Sequence, residues 1–235
     1  MKPFEYEIEN LRSLVFEMLD LVKDQIHLTK EVLLTGDQEL SCEIMRKEKR
    51  VNAYELSIDR ECEDFLALHT PVASDLRFTM AMLKISGSLE RIGDHAYRMS
   101  SFVFDDLLSL NKELVELVNL PSLFDEIDDM LINISDALEN SDSKIAKKVF
   151  KQDKVLDKIN KTSFKLLSDY HKSHKGDLSN LLLLSRIIGK LERVGDLTKN
   201  IAEEILFYND SKIVKHKKKN KRIEKKLQPD NTQED

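Results

Sequence analysis

Two stretches decide the fold: Ile85-Ser86-Gly87-Ser88-Leu89-Glu90-Arg91-Ile92-Gly93-Asp94 and, 102 residues later, Ile187-Ile188-Gly189-Lys190-Leu191-Glu192-Arg193-Val194-Gly195-Asp196. Leaving aside the two variable positions, seven of the eight that remain are identical and the eighth exchanges Ile92 for Val194. Upstream, Glu48-x-x-x-Asn52 matches Asp153-x-x-x-Asp157 at a shift of 105, a difference of three residues that a small loop insertion produces. Self-similarity over such a distance is the mark of an internal repeat.

Working outward, apolar residues recur at helical spacing and no alternating strand pattern competes. Leu11, Leu14, Val15, Met18 and Val22 form one stripe of a first helix that runs to about Leu34, where Gly36 stops it and Asp37 caps the next. A second helix reads from about Gln38 to Leu68, and Thr70 with Pro71 predicts an N-cap and first-turn proline for a third that reaches Leu110. Pro121 and Ser122 open a fourth to about Asn140, Ser141 or Asp142 caps a fifth that fades between His171 and Gly176, and a sixth covers about Leu178 to Tyr208. The predicted architecture is all-α: two tandem three-helix repeats, residues 1–112 and 113–211, followed by a basic tail at 212–235.

Composition agrees. The chain of 235 residues has only six Gly, four Pro and no Trp, which suits long helices around a substantial core. Nine Lys/Arg against four Asp/Glu from Ser211 onward give the tail +5, so the net −6 conceals a body at −11. A body so acidic disfavours nucleic acid and favours cations or basic partner surfaces. Cys42 and Cys62 form no CxxC pair, the N-terminus has no signal-peptide core, and Leu181 to Leu184 is the longest apolar run. A soluble cytoplasmic protein is expected.

On the sixth helix Glu192, Asp196 and Glu203 lie within about 40° of one another around the axis, beside the apolar stripe Leu184, Ile188, Leu191, Thr198, Ala202 and Ile205. Glu48, Asn52, Glu55 and Asp59 draw a comparable polar line on the second helix. Two such lines face to face would make an oxygen-rich site for a hard or borderline cation. The plainer alternative is a solvated acidic face, with glycines that serve packing and Glu–Arg pairs that bridge helices. Two glycines in each motif, at about 1 kcal/mol apiece relative to alanine, call for close helix approach or ligand access.

These motifs resemble the PhoU family. Pro71-Val72-Ala73-Ser74-Asp75-Leu76-Arg77 followed by LERIGDHA is similar to the signature of its first repeat, and LERVGDLTKNIAEE, Leu191 to Glu204, to that of its second. The resemblance spans roughly Glu5 to Asn209. It implies two three-helix bundles related by approximate twofold symmetry, with E/D-x-x-x-D motif pairs that hold metal. By that resemblance a first site uses Glu90 and Asp94 with Glu48 and Asn52; a second uses Glu192 and Asp196 with Asp153 and Asp157, joined by Asn200 and Glu203. The ion expected is divalent or trivalent: iron, zinc, manganese or magnesium.

This chain departs from the pattern at several places. Asn52 stands where an acid is usual, Arg98, Met99 and Ser101 replace Asn, Ile and Glu in the first repeat, and Leu197 replaces His in the second. The second site is therefore expected to bind metal better. The resemblance further implies a regulatory adaptor, not an enzyme, that links the ATP-binding subunit of the phosphate ABC transporter to a phosphate sensor histidine kinase and represses the starvation response. Apart from the resemblance, the long helical faces leave room for a homodimer, and at most a peripheral membrane association, through the basic tail, is expected.

No Walker or Rossmann loop, nucleophile elbow or HExxH is present. The alternative, an iron-binding or iron-storing helical metalloprotein, calls for E-x-x-H motifs on paired helices, and none occurs.

Overall fold

The computed structural model describes residues 5–106, 110–174 and 178–211, so the expected tail at 212–235 lies outside the described residues. Among the described residues seven helices follow one another: α1 (Glu5–Thr35), α2 (Gln38–Leu68), α3 (Ala73–Asp106), α4 (Lys112–Leu117), α5 (Leu120–Glu139), α6 (Ser143–Ser173) and α7 (Leu178–Asp210). Helices α1 to α3 pack as one three-helix bundle and α5 to α7 as a second. The bundles meet chiefly along α3 and α7, with α1 against α5 as a second seam.

The helix boundaries have local causes. Gly36 takes φ +76°, a left-handed turn that ends α1, and its N–H bonds the Val32 carbonyl. Asp37 then accepts hydrogen bonds from the Glu39 and Leu40 amides at the start of α2. Asp142 does the same for Lys144 and Ile145 on α6, so of the two candidate caps it is Asp142 that serves; such caps contribute about 1 kcal/mol each.

Two boundaries and one element differ from expectation. Helix α3 starts at Ala73, the Val72 carbonyl accepting the Leu76 amide, so Thr70 and Pro71 belong to the connection and not to a cap. Proline holds the residue before it away from the helical region, and here the non-helical connection continues past Pro71. The same helix is described only to Asp106, short of Leu110, which lies outside it. The short α4 is an element the periodicity did not predict, because six residues are too few for a stripe. Asn111 caps it, and the side chain of Asn180 accepts the Asn111 amide at 3.1 Å, tying α4 to α7.

The buried apolar side chains form one continuous cluster through both bundles, including Met18, Ile44, Ile85, Ile92, Phe124, Ile134, Val194 and Ile201. Polar clasps cross the seam: Lys84 meets Glu204 at 3.3 Å, Arg12 donates to the Leu138 carbonyl at 3.2 Å, and Lys30 pairs with Asp125. The Arg186 guanidinium lies 4.3 Å from the centroid of the Phe102 ring. No helix among the described residues is long and apolar enough to cross a membrane.

Candidate functional site

In the first bundle α2 supplies Glu48 and Asn52, and α3 supplies Glu90 and Asp94. Glu48 is only 9 % exposed because it points inward across the α1–α3 gap. There Gln25, fully buried on α1, donates to its Oε2 at 3.1 Å and to the Ile44 carbonyl at 3.4 Å. Burial pushes the Glu48 carboxyl above its ordinary pKa and the charges of Asp94 and Glu90 push it further, while the hydrogen bonds from Gln25 and Asn52 oppose the shift. Burial also raises Glu90, with Asp94 adding to it, and raises Glu55, with Glu90, Asp59 and Glu48 adding to it. These acids thus feel one another as a single like-charged group. Arg98 is the cation nearest to hand: its Nε donates to both oxygens of Asp94 at 2.8 and 2.7 Å from the next turn of α3.

The second bundle uses equivalent positions differently. Asp153, 7 % exposed on α6, and Asp196 on α7 are both held by Lys199, whose Nζ lies 2.7 Å from one and 3.0 Å from the other. Burial lowers the Lys199 pKa, and the two hydrogen bonds more than reverse it, leaving the ammonium firmly charged. Burial raises Asp153 against the pull of Lys199, and burial with Asp196 raises Glu192, which Asp157 and Asp153 raise further. A fixed ammonium therefore stands between two of the acids expected to hold a metal. Asn200 and Glu203 lie further along α7, where with Asp196 they line the cleft between α7 and α3.

The motif glycines divide in two. A Cβ on Gly93 would sit 2.8 Å from Gln25 Oε1 and 3.1 Å from Glu48 Oε2, so this glycine makes room for the buried amide–carboxylate pair. A Cβ on Gly195 would sit 2.5 Å from Leu156 Cδ1, an apolar contact in the same place. Gly87 would meet only Glu55 Oε1 at 3.8 Å, and Gly189 nothing within 4 Å. Close helix approach thus explains one glycine of each motif, and nothing in the structure requires the other.

By donor type both clusters suit a hard cation, being all oxygen. Their side chains as placed do not converge, for among the described residues no three His, Cys, Asp or Glu are grouped to hold an ion. Two residues central to these sites escaped the motif reading. Gln25 carried a signal, a polar residue following Val22 at helical spacing on the apolar stripe of α1. Lys199 carried a weaker one, its position three residues after Asp196.

Likeness to known proteins follows the same two-bundle plan. The model of the PhoU domain matches residues 15–103 and 120–205. The chain is 32 % identical to the phosphate-specific transport system accessory protein PhoU homolog of Zymomonas mobilis, over 88 % of this chain and 86 % of that protein. It is 29 % identical to the phosphate-specific transport system accessory protein PhoU of Escherichia coli, over 91 % and 88 % of the two chains. The crystal structure of PhoU from Pseudomonas aeruginosa superposes with a TM-score of 0.83 at 28 % identity, covering 89 % of this chain and all of that one. A Streptococcus pneumoniae PhoU structure shares the fold at a TM-score of 0.80 and 24 % identity. With the family's domain found in each half, and relatives matched over nearly their whole length, the chain belongs to the PhoU family.

Proposed function

We propose that the chain is a regulatory adaptor of phosphate transport, working by binding and not by catalysis. The observation that carries this reading is likeness across both bundles to proteins named as accessories of the phosphate-specific transport system. In the finer reading it binds the ATP-binding subunit of the phosphate ABC transporter and a sensor histidine kinase on the cytoplasmic side. Through them it represses uptake and the starvation response when phosphate is plentiful. The acidic body supports a basic partner surface, since charge complementarity raises association rates and suppresses wrong partners.

The test is an affinity capture with the full chain from membranes of cells grown with and without phosphate, bound proteins being identified by mass spectrometry. Recovery of the transporter's ATP-binding subunit or the kinase supports the adaptor; recovery of neither, under both conditions, sinks it.

A second reading, favoured by the mutual like-charge shifts of Glu48, Glu90 and Glu55, adds a metal to the bundles. A hard cation would be held in the first bundle by Glu48, Glu90 and Asp94 with Asn52. In the second it would be held by Glu192, Asp153, Asp157 and Asp196, once Lys199 has moved aside. Bound metal would relieve repulsion among these carboxylates and tie α2 to α3, or α6 to α7. Metal content of purified protein, measured for wild type and for Glu48→Ala/Glu90→Ala, tests it: equal content in both removes the first-bundle site.

A further inference from the structure

Between α3 and α7, on one side of the seam, lies an open cleft of about 540 Å³. Helix α3 lines it with Lys84, Ser88, Arg91 and His95, and α7 answers with Arg193, Lys199, Asn200 and three carboxylates. Two of those carboxylates have cations of their own: Glu204 is paired with Lys84 at 3.3 Å and Asp196 with Lys199 at 3.0 Å. The third, Glu203, also has interactions in the structure and leaves the lining one positive charge in excess. That excess belongs to Arg91 and Arg193, which occupy the same position of the two repeated motifs. Neither has an ion-pair partner within 4.0 Å among the described residues. A positive cleft in a body of charge −11 is not what composition favours.

The internal repeat explains how it arises. Packing α3 against α7 brings two copies of one motif into a single lining, so a lone surface arginine becomes a pair. His95 lines the cleft between them, its own Nδ1 shielded from solvent and without a hydrogen-bond partner in the protein. Two guanidinium groups and the amide of Asn200 make a set of donors with a surplus of positive charge. Carboxylate, sulfate and phosphate oxygens are the acceptors that guanidinium forks fit, and of these the tetrahedral dianion best matches two forks.

We infer that the α3–α7 cleft binds a phosphoryl oxyanion, with Arg91 and Arg193 as its charged ligands. The proposal goes beyond the adaptor reading; its cleft borders Asp196 and Lys199 of the second-bundle metal reading but takes its charged ligands, Arg91 and Arg193, from outside that set. An anion there would bridge the two bundles at their main seam and so couple their relative packing to anion concentration.

Isothermal titration of the full chain with inorganic phosphate, and separately with ATP, tests this. Binding in either arm, weakened at least about tenfold in Arg91→Gln/Arg193→Gln, supports the site. The tighter arm tells free phosphate from a nucleotide's phosphates. Both arginines are exposed, and circular dichroism verifies that the double variant is folded. Arg60→Gln, which changes an exposed guanidinium on α2 outside the cleft, is expected to bind as wild type does. A second readout avoids substitution altogether: the ¹⁵N resonances of the His95 ring shift during titration of the wild-type chain. Absence of binding in both arms below about 1 mM, or binding untouched by the double substitution, overturns the proposal.

Discussion

The two bundles carry the same motif and neutralise it by different means. In the first, Glu48 reaches across to α3 and is met by the neutral amide of Gln25, while Asp94 is held from outside by the exposed Arg98. In the second, the shorter Asp153 stops before Gly195, Leu156 fills the place beside that glycine, and Lys199 binds Asp153 and Asp196 together. One cluster holds uncompensated like charge in its interior; the other has an internal cation. The repeat therefore keeps three of the four acid positions, Asn52 standing against Asp157, whereas the charge balance of each copy is set by one or two neighbours.

Removing the ammonium tests this contrast most severely. Lys199→Ala leaves the buried Asp153 facing Asp196 without a cation and is expected to destabilise by about 2–3 kcal/mol in urea denaturation. Added Mn²⁺ is expected to restore part of the loss, and a variant as stable as wild type would erase the distinction between the bundles. The glycines come next. Gly93→Ala must displace the Gln25–Glu48 pair and is expected to cost about 1–2 kcal/mol despite better helix propensity. Gly189→Ala, with open space around it, is expected to gain about 1 kcal/mol, and a loss there would restore a role for that glycine.

The pH dependence of stability sharpens the comparison in the first bundle. Because the folded-state pKa of Glu48 is raised above its ordinary 4.5, ionisation of this residue opposes folding. Its protonated form thus contributes stability below 4.5 that is lost as pH rises through the raised value. Glu48→Gln keeps an acceptor for Gln25 and removes the charge, so its melting temperature at pH 7 is expected to rise by roughly 2–4 °C. The variant should also gain less than wild type on acidification, and an unchanged slope would argue against a shared like-charge group. Least of all, Arg98→Gln breaks an exposed pair on one helix and is expected to change stability by less than about 0.5 kcal/mol.

Much of the fold was legible before any coordinates. The repeat, the long helices and the caps at Asp37 and Asp142 follow from residues within a few positions of one another, where the 3.6-residue period and local hydrogen bonding act directly. Helix α4 escaped because six residues show no period, and the start of α3 because Thr70-Pro71 has the form of a cap without serving as one. Among candidate site residues, Glu48, Asn52, Glu90 and Asp94 are electrostatically joined, as are Glu192, Asp196, Asp153 and Asp157. Asn200 and Glu203, one to two turns beyond Asp196 on the same helix, lie with it along the inter-bundle cleft.

Sequence by itself determined that this chain is a duplicated helical protein with acids beside its core faces, because periodicity and repetition are properties of the chain alone. Only the tertiary structure decided which glycine is required, which acid is buried, and which cation answers it. Those outcomes depend on what a neighbouring helix presents at a given height. Gln25 and Leu156, and Lys199 in meeting Asp153, reach their partners across distances in the chain over which no local rule operates.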